Sequence, residues 1–131
     1  MIARAVRMAL TATIASVFSG LPMTALLTIG SDPDYIFAAT SRYMGLAFAG
    51  NFLIGLPVAF LVYRMVRGSP DVGLWHLAGL ANLFALGLVF VLFVTGGAFG
   101  VVFLGIPVLL AANAYAIAGW FLVIKPERAG V

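Results

Sequence analysis

The sequence predicts an all-α membrane protein: four transmembrane helices in an antiparallel bundle, with both termini on the cytoplasmic side. Three observations lead there. The 131 residues are 64% apolar and only 8% charged, against soluble norms of about 45–50% and about 25%, so too little charge is present to cover a water-exposed surface. Four apolar runs have the length needed to cross about 30 Å of hydrocarbon. Six of the seven basic residues fall on one side if those runs alternate in direction, and cytoplasmic loops are the ones enriched in Lys and Arg.

The first span covers about residues 8–29. Arg4 and Arg7 precede it, and the run is long enough to remain a span where a cleaved secretory signal would be shorter. Gly30-Ser31-Asp32-Pro33 ends it and opens the longest connection, about fifteen residues from Gly30 to Met44. There Ser31 or Asp32 before Pro33 reads as a helix start, because a short polar side chain caps free N–H groups and proline suits the first turn. The segment beginning Tyr35-Ile36-Phe37 is expected as a short helix at the outer interface or an extension of the second span.

The second span covers about residues 45–66 and ends in Arg64 and Arg67. The third covers about 74–95, between Gly68-Ser69-Pro70-Asp71 and Gly96-Gly97. The fourth covers about 100–124 and leads to Lys125 and Arg128. Only Arg42 falls on the outer side. Tyr63, Trp75 and Trp120 are expected at the inner boundary and Tyr35 and Tyr43 at the outer one, where amphipathic rings collect. The whole of 1–131 then forms one domain, integral to a membrane and, on this pattern, to a bacterial inner membrane.

Inside the spans the polar residues are few. The first carries small side chains every fourth position: Ala12, Ser16, Gly20, Thr24 and Thr28. Such a row lets another backbone approach closely, with a polar conduction path as the alternative. Asn51, Asn82 and Asn113 stand 31 residues apart. Helix rise puts Asn82 and Asn113 about 12 Å and 16 Å from the inner boundary, so these two are expected to meet, either as a packing contact or as lining for a small neutral solute. Three Gly-x-Pro steps end in Pro22, Pro57 and Pro107. Each proline lacks an N–H and clashes with the carbonyl four residues back, at Phe18, Leu53 and Phe103, so helix kinks are expected there.

No Asp, Glu, Lys or Arg lies well inside any span, which argues against proton- or cation-coupled transport. With no cysteine, thiolate metal sites and cysteine nucleophiles are excluded. His76 is the sole histidine; it can offer one ligand to a pigment or metal but not a closed site, and its place beside Trp75 suits the interface. No catalytic carboxylate pair, nucleophile set, phosphate loop or nucleotide fingerprint is present, and the scattered basic residues suit topology better than nucleic acid. No enzymatic chemistry, metal or cofactor is expected.

Residues 1–68 share a further pattern. A basic start, a hydroxyl-rich first helix, the Gly30-Ser31-Asp32-Pro33-Asp34 turn, and a second helix with Gly55-Leu56-Pro57-Val58-Ala59-Phe60 that ends Tyr63-Arg64-Met65-Val66-Arg67 resemble a family of small bacterial two-helix membrane proteins of unknown function. The resemblance implies a hairpin of helices and carries over no known activity, and Leu74–Val131 departs from it. Two functional classes follow: an accessory or self-associating subunit of a membrane complex, whose partners are lipid and other membrane chains, or a channel or facilitator for a small, uncharged or weakly polar solute.

Overall fold

A computed structural model describes residues 1–130; Val131, the last residue of the expected domain, lies outside the described residues. The described chain is helical almost throughout and contains no strand. Its elements are α1 (Ile2–Thr28), α2 (Pro33–Gly50), α3 (Leu56–Arg67), α4 (Leu74–Gly100), α5 (Ile106–Gly119) and α6 (Lys125–Arg128), with π-helical segments at Asn51–Gly55, Val101–Gly105 and Trp120–Ile124. The π segments join neighbours without a break, giving three continuous runs, Ile2–Thr28, Pro33–Arg67 and Leu74–Arg128, each long and apolar enough to cross a membrane.

The helices are longer than the apolar runs. α1 starts six residues earlier than expected, and the fifteen-residue outer connection shrinks to Ile29–Asp32 because α2 begins at Pro33. Helix formation depends on backbone hydrogen bonding, so a helix continues past the last apolar residue until a cap or breaker stops it. Here the cap is Asp32, whose Oδ1 accepts from the Tyr35 N–H at 3.0 Å, with Pro33 in the first turn. At the start of α4, His76 Nδ1 accepts from the Gly73 N–H at 3.1 Å, so the lone histidine acts as a capping group.

Within α4 the backbone leaves the helical region at Gly97 (φ 61°, ψ −154°), a conformation that glycine alone adopts freely. The chain doubles back there, so closely that a Cβ on Gly100 would lie 2.9 Å from the Leu92 carbonyl oxygen. The Asn82–Asn113 hydrogen bonds then join the two arms.

Each π segment ends two residues before a proline: Gly55 before Pro57, Gly105 before Pro107 and Ile124 before Pro126. The Leu56 N–H reaches five residues back to Asn51 O, and the Lys125 N–H five back to Trp120 O. One extra residue in the turn lets the chain accommodate the ring, which clashes with the carbonyl four residues earlier. Kinks were expected at Pro22, Pro57 and Pro107. The last two carry π segments, whereas Pro22 sits inside uninterrupted α1.

α1 packs chiefly on α5 and α2. The core holds Met8, Ala12 and Ala15 of α1, Ala59, Tyr63 and Val66 of α3, Leu77 of α4, Tyr115 and Ala116 of α5, and Val123 and Ile124. α4 packs on α5 and on the Val101–Gly105 segment. At the end of the bundle that holds the N-terminus, Glu127 lies 2.9 Å from Arg4 Nε and 3.3 Å from Arg67 Nη1. Arg128 Nη2 donates to the Val66 and Ser69 carbonyls at 2.8 Å each. The start of α1, the end of α3 and α6 are therefore gathered at one end.

Candidate functional site

The small-residue row of α1 faces inward. Ala12, Ser16, Gly20, Thr24 and Thr28 are all buried, and a Cβ on Gly20 would meet Met44 Sδ at 2.5 Å and Ala47 Cβ at 3.1 Å. The seam is thus occupied by this chain's own α2. Its hydroxyls donate one turn back along α1: Ser16 to Ala12 O at 2.7 Å, Thr24 to Gly20 O at 2.9 Å and Thr28 to Thr24 O at 2.7 Å. Their protons are spent on the helix itself.

The three asparagines do not form one cluster. Asn82 and Asn113 face each other, each Nδ2 donating to the other's Oδ1 at 3.0 Å. The second N–H of each goes to its own helix, to Ala78 O at 2.8 Å and Leu109 O at 2.9 Å. All four amide hydrogens are consumed, as an amide near lipid requires. Asn51 lies elsewhere, buried, with Nδ2 donating to Ala47 O at 2.8 Å and Ser19 Oγ at 3.3 Å.

Three tyrosines tie the second helical run to the third, and composition alone gave no signal of this. Tyr43 donates to Phe103 O at 2.8 Å, the carbonyl that Pro107 leaves without its usual N–H. Tyr115 donates to Asn51 O at 2.7 Å inside the first π segment, and Tyr63 donates to Tyr115 O. Tyr63 was expected at the inner aromatic boundary, but it is 2% exposed and turned into the core. Its ring sits where a Cβ on Gly119 would be, and the Tyr115 ring lies 2.7 Å from where a Cβ on Gly55 would stand. Each glycine is a notch for a tyrosine. A signal was present in sequence: a proline-freed carbonyl in lipid needs a donor, and tyrosine is one of the few side chains that can supply it.

Between the α2–α3 run and α4 the packing is incomplete. A cavity of about 440 Å³ lies there, floored by α5 and walled by Leu46, Ile54 and Val58 on one side and Leu80, Phe84 and Leu88 on the other. Ser19, Asn51 and the three tyrosines reach its surface, but the hydroxyl protons of those tyrosines are already donated to carbonyls. The cleft is apolar in what it offers. Asn82 and Asn113 do not line it; Asn113 borders a shallower depression between α1 and α5 with Ile14 and Phe18. Among the described residues, no three His, Asp or Glu side chains gather where they could hold a metal ion.

Fold and site together define a class: a helical bundle of membrane-spanning character, stitched by internal hydrogen bonds around an apolar lateral cleft. No protein-family model, curated protein or solved structure matches the chain.

Proposed function

We propose that the chain is a four-span integral protein of a bacterial inner membrane, with both termini cytoplasmic, that works without catalytic chemistry as an accessory or self-associating subunit of a membrane complex. Gly97 supplies the fourth span by folding the Leu74–Arg128 run on itself. The ion pairs that gather Arg4, Arg67 and Glu127 at one end agree with an even number of crossings and with a cytoplasmic basic face.

One observation carries the functional reading: the polar hydrogens inside the bundle are spent within the chain, on the donor's own helix or on a neighbouring one. Ser16, Thr24, Asn51, Asn82 and Asn113 all donate to partners within the chain. A path for a polar solute needs groups free to replace its water. The accessory role accordingly stands ahead of the facilitator. With the α1 seam filled by α2 and α5, partner chains would meet the outer faces of the bundle.

Purification in mild detergent followed by intact-complex mass measurement tests this. A foreign subunit at fixed stoichiometry, or a dimer of this chain without solute flux in liposomes, is the expected result. A ring of identical chains that conducts a neutral solute would overturn it. Orientation is read separately, from single cysteines at Ser31 and Ser69 in cells: an impermeant thiol reagent is expected to label the Ser31 position and spare the Ser69 position.

A further inference from the structure

We infer that the cleft between the α2–α3 run and α4 is a binding site for one acyl chain of a phospholipid, with Arg42 at its mouth taking the phosphate. The chemistry of the walls comes first. Leu46, Ile54, Val58, Leu80, Phe84 and Leu88 present hydrocarbon, and Tyr43, Tyr63 and Tyr115 have donated their protons elsewhere. A ligand that needs hydrogen bonds gains few here; a chain of methylenes loses none.

Shape then selects among apolar occupants. The lining runs from Tyr43 to Tyr63 on one wall and from Leu77 to Leu92 on the other, about 22–30 Å at helical rise. A volume of about 440 Å³ spread over that length leaves a track about 7 Å across at van der Waals contact. A helix with side chains is about 10–12 Å wide, so a partner helix does not enter without prying α4 away. An extended hydrocarbon chain does.

Charge fixes the end at which the headgroup sits. Arg42 lies one turn from Leu46 on the lining stripe, beside Tyr43 and at the end of the cleft opposite the Glu127 cluster. It is exposed and forms no ion pair among the described residues. A guanidinium at that depth matches a phosphate at the membrane interface, with the attached chain descending past Tyr43. Which leaflet supplies the lipid follows from the proposed orientation, but the binding does not depend on it.

The test titrates the detergent-purified protein, stripped of endogenous lipid, with 1-palmitoyl-2-oleoyl-phosphatidylglycerol and follows bound lipid by intact-complex mass measurement. The wild type is expected to take one lipid tightly. Ala111→Trp on the cleft floor, which displaces two or more methylenes, is expected to weaken binding about tenfold. Should that variant fail to fold, Ala81→Trp on the α4 wall asks the same question. Arg42→Gln is expected to weaken phosphatidylglycerol about threefold while leaving the phosphate-free diacylglycerol unchanged, which separates headgroup from chain. Ala118→Phe, in the depression on the other side of α5, is the control and is expected to bind as wild type. The proposal is overturned if the tryptophan variants bind lipid as the wild type does, if Ala118→Phe loses it equally, if Arg42→Gln weakens both lipids alike, or if the cleft variants abolish a wild-type dimer instead of a bound lipid.

Discussion

α1 and α4 have the same length, 27 residues, yet they sit in the bundle in opposite ways. Across its most apolar stretch α1 buries 44% of its residues, whereas the most apolar stretch of the run that contains α4 buries 11%. α1 is the less hydrophobic of the two. Its alanine, glycine and hydroxyl row lets α2 approach until Met44 and Ala47 fill the place of a side chain. α4 carries Leu83, Leu86 and Phe90 largely toward the outside, turns Leu80 and Phe84 to the open cleft, and meets α5 without closing on α2 or α3. In lipid, burial follows from smallness and matched polar groups, because hydrophobicity gives one helix no preference for another over the acyl chains around it.

That contrast can be broken or sharpened by substitution, taken from the largest expected effect down. Gly119→Leu should do the most damage, since its side chain needs the volume held by the Tyr63 ring; about 3 kcal/mol or more of stability should be lost in detergent unfolding. Gly20→Leu on α1 comes next, at about 2 kcal/mol, because Met44 can give way where Ala47 cannot. Its particle should stay the same size on a gel-filtration column, since the seam is internal. Tyr43→Phe follows at about 1–2 kcal/mol, the cost of leaving Phe103 O with neither the tyrosine nor an N–H from Pro107. Tyr115→Phe should cost less than Tyr43→Phe, because Asn51 O keeps the Leu56 N–H; the reverse order would sink the idea that Tyr43 serves the carbonyl that Pro107 frees. The smallest effect is Asn82→Leu, about 0.6 kcal/mol, and Asn113→Leu added to it should recover part of the loss by removing the orphaned partner amide.

Much of this was legible in the residues. Ser31 or Asp32 before Pro33 marked a helix start, Gly96-Gly97 marked the break in helical backbone, and the depths of Asn82 and Asn113 brought them together. These are local signals or simple consequences of helix rise. The inward turn of Tyr63 was not legible, because a tyrosine next to Arg64 has the pattern of an interfacial ring, and only the notch at Gly119, far along the chain, makes room for it. The π segments were hidden for a related reason. A Gly-x-Pro step says that hydrogen bonding is disturbed, but whether the chain widens a turn, as before Pro57 and Pro107, or continues unchanged, as at Pro22, depends on what packs on the other side. The cleft was invisible for the same cause: it is set by how far α4 stands from helices remote from it in sequence.

The tie between Glu127, Arg4 and Arg67, together with the Arg128 bonds to Val66 and Ser69, has a consequence for biogenesis. A ribosome makes Glu127 and Arg128 after the helices they join, since the groups they hold lie at the start of α1 and the end of α3. Until α5 emerges, α1 has α2 beside it but its other packing partner is missing. Until α6 follows, the earlier helices are held together without this clasp. Closure waits for Glu127 and Arg128, and a chain without them would keep its long helices while losing the clasp that draws their ends together.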